Sequence, residues 1–359
     1  MRVAISTGGG DAPGLNAVIR AAVLGSINRG WEVSGIRRGF GGLLGDARIV
    51  QMDQDSVRGI THLGGTILGT TNRGNPFRWP LLGTDGKWVE EDRSNELIDS
   101  FHKHQLDGLI AVGGDGTLRI AHELYERGLP IVGVPKTIDN DVAGTDYTFG
   151  FDTAVQTATE AIDKLHSTAE SHERVMVVEL MGRTAGWIAL TAGLAGGADV
   201  ILIPELPFDV DKVCDKVRER EAAGRHFSIV VVAEGATAKN GEAVFQEAGG
   251  PGGVRRLGGM GARVADAIAE RTGKETRSLT LGHLQRGGSP TTRDRILGLR
   301  FGAAAVRVVE AGRFGVMVAL KGLDMVEIPL DSVMGEPRLV GLESELLLTA
   351  RDLGISLGD

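Results

Sequence analysis

Two short motifs place glycines and carboxylates directly after apolar runs of the sequence. GGDGT, at residues 113–117, follows the run LDGLIAV, and PKTIDND, at residues 135–141, follows LPIVGV. A glycine has no Cβ to keep phosphate oxygens away from the backbone, and the free N–H groups of a following helix attract the anion. Asp115, Asp139 and Asp141 add carboxylates, which hold a divalent cation or accept a proton. The two motifs therefore predict phosphoryl transfer rather than nucleotide storage.

The surroundings of each carboxylate suggest its role. Asp115 lies between glycines, where phosphates would repel it unless a metal ion intervened, and Mg²⁺ takes one or two carboxylates together with phosphate oxygens. Asp139 and Asp141 follow Thr137 and predict a base that accepts the proton of an attacking hydroxyl. Lys136 lies beside them. The alternative is a purely structural role, since Asp115 and the Asp-Asn-Asp tripeptide also suit turns.

A further glycine turn and a group of charged residues follow other apolar runs. STGGGDAPGLN places Gly9 and Gly10 after the first run, which is a weak signal for a nucleotide phosphate because no G-x-x-x-x-G-K-[ST] motif occurs. Charged residues at or near the ends of later predicted strands are Arg174, Arg183, Glu234, Arg277, His283 and Arg286. Singly, each would be a solvated surface charge. Together they predict a sugar-phosphate site, because arginine and histidine bind phosphate and a carboxylate binds hydroxyls.

Apolar runs alternate with helical patterns along most of the chain. The runs RVAIST, LDGLIAV, LPIVGV, RVMVVEL, SIVVVAEG, SLTLGH and GVMVAL are predicted strands. Continuous apolar strands are typical of mostly parallel sheets covered on both faces, in which ligands bind beyond the carboxyl ends of the strands. We therefore expect an α/β protein with two doubly wound, Rossmann-like lobes and an active site in the cleft between them. Residues 72–88 and the glycine-rich residues 236–262 are predicted excursions from this pattern.

Length and charge exclude several classes of protein. The chain has 359 residues, enough for two domains, and its formal charge of −8 argues against a nucleic-acid or membrane partner. Its single cysteine, Cys214, excludes an internal disulfide, fits a reducing compartment and lies in a predicted helix, where we expect it to be buried. The chain begins with a predicted strand rather than a basic and apolar leader, and no apolar stretch approaches the ~20 residues that span a bilayer. These features predict a cytoplasmic protein.

The motifs resemble those of the phosphofructokinase family, whose members phosphorylate fructose 6-phosphate at its 1-hydroxyl. The similarity runs in order through GGGDAPGLNAVIR, GGDGT, TIDND, EAIDKLHSTAESHERVMVVELMGR and LGHLQRGGSPTTRDRIL. It implies ATP as phosphoryl donor, Mg²⁺ as metal ion and a homodimer or homotetramer. It also implies a nucleotide-binding lobe from residues 1–150 and about 285–335, and a sugar-phosphate-binding lobe from residues 151–284 and about 336–359.

The resemblance also implies roles for individual residues. Asp139 resembles the general base, with Thr137 and Asp141 beside it. Asp115 resembles the magnesium ligand and Arg183 a stabiliser of the transition state. The nucleotide site corresponds to Gly9, Gly10, Asn72 or Arg73, Asp115, Gly116 and Thr117. The fructose 6-phosphate site corresponds to Thr137, Ile138, Asp139, Met181, Gly182, Arg183, Glu234, Arg277, His283 and Arg286, with Arg174 supplied by a neighbouring subunit.

Two differences from the family pattern lie at the predicted phosphate sites, at Lys136 and at Asn72. Lys136 replaces the glycine of the compact bacterial enzymes and resembles a mixed actinobacterial-type branch and the pyrophosphate users. Gly116 favours ATP, because the pyrophosphate users carry an aspartate there that would repel the α-phosphate. An ATP-dependent enzyme is therefore the leading prediction and a pyrophosphate-dependent one the alternative. At the second position, the arginine that follows the LGS or LGT turn in the family is replaced by Asn72. An arginine, Arg73, occurs one residue later.

A third difference concerns regulation. Arg20 of the family's allosteric phosphate site is present, but other basic positions of that site correspond to Leu24, Gln54 and His166, so we do not expect the usual effectors to act. More distant alternatives are an NAD or lipid kinase, which also uses a GGDG segment, and a catalytically silent sugar-phosphate sensor. A dinucleotide-dependent oxidoreductase is disfavoured, because no G-x-G-x-x-G motif follows the first predicted strand.

Overall fold

The computed structural model describes residues 1–83, 86–239, 241, 245–247 and 256–359. The strands are β1 (Arg2–Thr7), β2 (Glu32–Ile36), β3 (Ile49–Met52), β4 (Trp79–Leu82), β5 (Trp88–Glu91), β6 (Gly108–Gly113), β7 (Ile131–Pro135), β8 (Val175–Leu180), β9 (Val200–Leu202), β10 (Ser228–Ala233), β11 (Phe245–Glu247), β12 (Arg256–Leu257), β13 (Thr276–Thr280), β14 (Val316–Lys321) and β15 (Asp324–Pro329). The α-helices are α1 (Leu15–Ile27), α2 (Ser94–Lys103), α3 (Asp115–Glu126), α4 (Phe151–Ser171), α5 (Trp187–Ala195), α6 (Val210–Ala222), α7 (Met260–Thr272), α8 (Thr292–Glu310) and α9 (Glu345–Asp352). Short 3-10 helices cover Gly39–Leu43, Pro76–Arg78, Gly282–Arg286 and Leu330–Val333.

The larger sheet has the strand order β15-β14-β7-β6-β1-β2-β3. Its five central strands are parallel, and only the two edge strands, β15 and β3, run antiparallel to their neighbours. Thr7 pairs with Val112, and Gly113 pairs with Pro135. The carboxyl ends of β1, β6 and β7 therefore lie side by side, which brings the three loops that carry the glycine and aspartate motifs to one edge of the sheet.

The smaller sheet is entirely parallel, with the order β13-β8-β10-β9. Leu180 pairs with Ala233, and Thr280 pairs with Glu179. The segments after β8, β10 and β13 are therefore neighbours at the carboxyl edge of this sheet. At the other end of the same strands, Arg277 pairs with Met176.

Helices cover both faces of each sheet because successive strand residues point to opposite sides. In β6, Ile110 and Val112 belong to a core with α1 and α8, whereas Leu109 and Ala111 belong to a core with α2 and α3. Around the smaller sheet, α4, α5 and α9 cover one face and α6 and α7 the other. This arrangement confirms the predicted fold class, an α/β protein with two doubly wound, mostly parallel sheets.

The predicted strands are all present, but several others were not foreseen. β2, β3, β9 and β15 are short or lie at sheet edges, where the apolar pattern is weaker. The predicted excursion at residues 72–88 contains the β4–β5 hairpin, which pairs with neither main sheet. Of the excursion predicted at residues 236–262, residues 240, 242–244 and 248–255 lie outside the described residues.

Cys214 lies in α6 and is buried, and this burial raises the pKa of its thiol. A thiol of that kind suits packing better than nucleophilic chemistry. Among the helices of the described ranges, none is long and apolar enough to cross a membrane.

Candidate active site

A cavity of about 510 Å³ lies between the carboxyl edges of the two sheets. The loops after β1, β6 and β7 form one side of the cavity, and Arg183 and Arg286 come from the smaller sheet. The predicted site residues that line it are Gly9, Gly10, Asn72, Asp115, Gly116, Thr117, Thr137, Asp139, Arg183 and Arg286. The structure thus places the predicted nucleotide loops and the predicted base at one cavity.

The loop after β1 presents bare backbone to this cavity. Gly9 has a φ of 76°, in the left-handed region that favours glycine, and its N–H donates to the carbonyl of Thr71 at 3.1 Å. A Cβ at Gly10 would lie 2.9 Å from Nη1 of Arg286, too close for a side chain in this arrangement. The conformation of Gly9 therefore favours glycine, a side chain at Gly10 would push the Arg286 guanidinium aside, and both residues leave backbone groups accessible to phosphate oxygens.

Asp115 is the first residue of α3 and lines the cavity with a half-exposed carboxylate. Nε of Arg119 lies 2.9 Å from its Oδ2. Within the described ranges, no three His, Cys, Asp or Glu side chains come together as a metal site. A magnesium ion fits here only with further oxygens from phosphates, and this is how magnesium is commonly held next to a nucleotide. The carboxylate is a suitable hard ligand for that ion, and Arg119 leaves its second oxygen unpaired.

Local hydrogen bonds fix the loop that carries Asp139. The N–H of Asp139 donates to Oγ1 of Thr137 at 3.0 Å, and the hydroxyl of Thr148 donates to the carbonyl of Thr137 at 2.9 Å. Asn140 adopts a φ of 53°, and its Oδ1 accepts from the N–H of Thr148 at 3.0 Å. Oδ1 of Asp139 is buried without a hydrogen-bond partner in the described part of the chain. Asp139 itself lines the cavity, and since no hydrogen bond holds Oδ1, the carboxylate is free to turn towards a substrate hydroxyl.

Burial shifts the pKa values of the ionisable groups around Asp139. Burial raises the pKa of Asp139 above its usual range, although Arg286 and Lys136 act in the opposite direction. Burial and the charge of Asp139 raise the pKa of Asp141 to about 6, and the same causes raise the pKa of Glu234 to about 7. Burial and the neighbouring Arg286 lower the pKa of Lys136 to about 8. Several groups of the site therefore change protonation near neutral pH, which is typical of acid–base chemistry.

Several other predicted sugar-phosphate residues lie at or near the carboxyl ends of strands in the smaller sheet. Met181 and Gly182 directly follow β8, Glu234 directly follows β10, and the exposed His283 lies in the 3-10 helix Gly282–Arg286. Ile138 is completely buried and does not line the cavity, so it presents no surface to a ligand in this structure.

Arg174 and Arg277 lie at the opposite end of the smaller sheet from the cavity. Arg174 immediately precedes β8, and both arginines pair with Glu275, at 2.9 Å for Nε of Arg174 and 2.6 Å for Nη2 of Arg277. The six residues of β8 span ~20 Å at ~3.3 Å per residue. Neither side chain can therefore reach the cavity of its own chain.

Asn72 and Arg73 face different cavities. Asn72 lines the cavity with the glycine loops, whereas Arg73 lines an adjoining one. Thr71 lines both, and its carbonyl accepts the N–H of Gly9. Asn72 rather than Arg73 therefore stands next to the predicted phosphate loops.

Several residues of the site escaped prediction from the sequence. Phe40 and Ile120 add apolar walls to the cavity, and neither belongs to a recognisable motif. Arg338 supports the loop of the predicted base: its Nη1 donates to the carbonyl of Asn140 at 3.1 Å, and its N–H donates to the carbonyl of Asp141 at 2.8 Å. Arg338 is almost 200 positions from that loop in the chain, so no sequence signal connects them.

Arg338 is itself held by an aromatic side chain. Its guanidinium carbon lies 4.3 Å from the ring centroid of Trp187, and the indole Nε1 donates to the carbonyl of Arg338 at 2.9 Å. Stacking on the indole restricts the orientation of the Arg338 guanidinium. The contact ties the start of α5 to the loop of Asp139.

Comparison with known proteins identifies the same family as the motifs. A family model for phosphofructokinase matches residues 2–309. An ATP-dependent 6-phosphofructokinase of Chloroflexus aggregans is 52% identical over 360 residues, which cover 100% of this chain and 98% of that protein. A pyrophosphate–fructose 6-phosphate 1-phosphotransferase of Amycolatopsis methanolica is 52% identical over 344 residues, covering 95% of this chain and 96% of that protein. The structure of phosphofructokinase from Saccharomyces cerevisiae aligns with a TM-score of 0.76 and 32% identity over 92% of this chain, which spans 45% of that longer chain. The chain therefore belongs to the phosphofructokinase family, as its motifs predict.

Proposed function

We propose that this chain is an ATP-dependent 6-phosphofructokinase, which transfers the γ-phosphoryl group of ATP to the 1-hydroxyl of fructose 6-phosphate. The observation that carries the proposal is the Asp139 carboxylate, which lines the same cavity as the glycine loops and has no hydrogen bond at Oδ1. A base at that place can take the proton of a hydroxyl while the phosphates of a donor lie against Gly9 and Gly10.

The residues divide the work of the reaction. Asp139 accepts the proton of the 1-hydroxyl as its oxygen bonds to the γ-phosphorus, and the bond from that phosphorus to the bridging oxygen breaks to release ADP. Arg183, Arg286 and Lys136 bring positive charge to the phosphoryl group in transfer, where negative charge is concentrated. Thr137 holds the Asp139 backbone in place. Asp115 would hold Mg²⁺, which neutralises phosphate charge when it is bound.

We assign ATP as the donor from the surroundings of Gly116. Relatives with either donor are 52% identical to this chain, so overall identity does not separate them. A Cβ at Gly116 would meet nothing within 4 Å, and the residue is exposed, so the space beside the phosphate loop is open. The α-phosphate and ribose of ATP need such space. The ammonium of Lys136 donates to the carbonyl of Gly10, and this contact is compatible with either donor.

The second candidate is the pyrophosphate-dependent version of the same reaction. The buried Lys136 favours it, because an ammonium at the cavity can neutralise a small inorganic donor. We rank it second because an added lysine does not exclude ATP, whereas a side chain at Gly116 would.

We also propose a homo-oligomer with a shared sugar-phosphate site. Arg174 and Arg277 lie too far from their own cavity to bind a substrate there, and they stand together around Glu275 on an exposed part of the surface. A neighbouring subunit would bring a cavity to these two guanidinium groups. The two sheets would form the cores of the nucleotide-binding and sugar-phosphate-binding lobes predicted from the motifs, and a cytoplasmic location completes the proposal.

A coupled assay with fructose 6-phosphate, run with ATP and with pyrophosphate, tests the donor. We expect turnover with ATP and Mg²⁺ and at least a hundredfold less with pyrophosphate. Gly116→Asp should lose ATP use, and since the position is open the variant should fold normally. Gly341→Asp is the matched control, because a Cβ there also meets nothing within 4 Å and the residue lines neither cavity. Equal or faster turnover of the wild-type protein with pyrophosphate would promote the second candidate.

A further inference from the structure

Beside the active-site cavity lies a second cavity of about 360 Å³, whose walls are rich in arginine. Arg38, Arg48, Arg73 and Arg93 line it, and none of them lines the active-site cavity. The indole of Trp79 forms another part of the wall. We call this the arginine cavity.

The arginine cavity carries an excess of positive charge. Arg93 is paired with Glu96, at 2.8 Å for Nε, but the side chains of Arg38, Arg48 and Arg73 have no hydrogen-bond or ion-pair partner among the residues that the structure describes. Asp46 is the acidic residue of the wall. Asp46 and Glu96 against four arginines leave two positive charges in excess, on a chain whose net charge is −8. Unpaired guanidinium groups that share one cavity favour a multiply charged anion.

The backbone holds these arginines in fixed positions. Arg38 has φ 61° and ψ 44°, a left-handed conformation that is unfavourable for a residue with a side chain. Its N–H donates to the carbonyl of Leu68 at 3.0 Å, which helps to hold that conformation. Backbone strain of this kind concentrates at ligand sites, because the surrounding structure must maintain it. The backbone at Arg38 is therefore fixed where its side chain enters the arginine cavity.

Two further contacts hold the loops around the arginine cavity. The hydroxyl of Thr71 donates to the carbonyl of Arg73 and accepts its N–H, each at 3.0 Å, so this turn is closed. Glu96 accepts the N–H of Gly45 at 2.8 Å while it pairs with Arg93. The arginine cavity thus lies between two loops that are each held by a side chain.

We propose that the arginine cavity binds a small phosphorylated molecule with at least two negative charges, and that its occupancy changes the KM for ATP. The binding does not depend on the proposed reaction, whereas the effect on KM rests on it. The coupling runs through Thr71, which lines both cavities and accepts the N–H of Gly9 in the phosphate loop. Trp79 lines the cavity, and the guanidinium carbon of Arg93 lies 5.8 Å from its ring centroid, so two kinds of molecule suit this wall: a nucleoside phosphate whose base contacts the indole, or a phosphate without a ring.

Titration calorimetry with inorganic tripolyphosphate tests the binding, run with and without saturating ADP and without Mg²⁺, which tripolyphosphate would chelate. ADP occupies the active-site cavity, so a binding event that persists reports a different site. We expect one event per chain, with at least tenfold weaker binding in Arg48→Gln and in the double variant Arg38→Gln, Arg48→Gln. Arg37→Gln is the matched control, because Arg37 is exposed and adjacent in sequence but does not line the cavity.

The same titration with AMP distinguishes the two sources of the ligand. Tighter binding of AMP than of tripolyphosphate, together with a quenching of tryptophan fluorescence that Trp79→Phe abolishes, would identify a nucleoside phosphate. Weaker binding of AMP would identify a phosphate without a ring. A titration in which Arg48→Gln weakens no binding event, with or without ADP, would overturn the proposal, and so would an equal loss in Arg37→Gln. Arg48→Gln alone keeps the test decisive if the double variant does not fold, because Arg48 has no strained backbone. A tripolyphosphate event without any change in the KM for ATP would overturn the coupling only.

Discussion

Replacing Asp139 with asparagine tests the proposed general base with little change of shape. The side chain keeps its size, but an amide cannot accept the proton of the 1-hydroxyl. A positioned general base contributes roughly 10²–10⁴ to a rate, which corresponds to about 3–5 kcal/mol of transition-state stabilisation. We expect kcat to fall by that factor and the KM values to remain close to those of the wild type, because the glycine loops and arginines that bind the substrates are unchanged.

The stability of the same variant gives an independent check. Burial raises the pKa of Asp139 in the folded chain, even with Lys136 and Arg286 nearby. The folded state therefore binds the proton more tightly than the unfolded state, so ionisation at higher pH lowers the free energy of unfolding. Asparagine has no charge to bury. The variant should be as stable as the wild type or more stable at pH 8, and this difference should disappear below the pKa of an unfolded aspartate, roughly 3.9.

Steady-state kinetics at pH 8, with thermal unfolding at pH 8 and at about pH 3.5, below the pKa of an unfolded aspartate, measure both effects. Asp141→Asn is the matched comparison, because Asp141 belongs to the same loop but does not line the active-site cavity. It should lose less turnover than Asp139→Asn. Near wild-type turnover in Asp139→Asn, with a large loss in Asp141→Asn, would refute the assignment and make Asp141 the base. A large loss of stability in Asp139→Asn at pH 8 would contradict the reasoning from burial.

Two further predictions concern residues outside the cavity. Verified hybrids of Arg174→Ala and Asp139→Asn subunits should regain activity that neither parent has, because one shared site then holds both an intact Arg174 and an intact Asp139. No recovery of activity would mean that Arg174 does not act across an interface. Arg338→Ala should lower kcat about ten- to hundredfold, since it removes a charged hydrogen bond worth roughly 1.5–3 kcal/mol from the loop of Asp139. Arg338→Lys should restore part of kcat, and unchanged KM values with altered kcat in both variants would separate positioning from substrate binding.

Much of the fold and the phosphate loops could be predicted from the sequence because their signals are local. A buried parallel strand needs a continuous apolar run, and a loop that approaches phosphate needs glycine, so RVAIST with Gly9 and LDGLIAV with GGDGT are visible in one short window each. The edge strands β3 and β9 have only four and three residues, too few for their apolar residues to stand out in the sequence. Since parallel strands end at the same edge, the convergence of these loops also followed from the pattern alone.

The sequence by itself determined the family, the α/β class and the motifs that meet at the cavity. Only the tertiary structure decided which charged residues can act together. Arg183 and Arg277 look equivalent as charges near predicted strands, yet one lines the cavity and the other lies at the far end of β13. Arg338 supports the Asp139 loop, and Arg38 and Arg73 share a second cavity. Such contacts join segments far apart in the chain, and they depend on how the sheets and loops pack rather than on any local pattern.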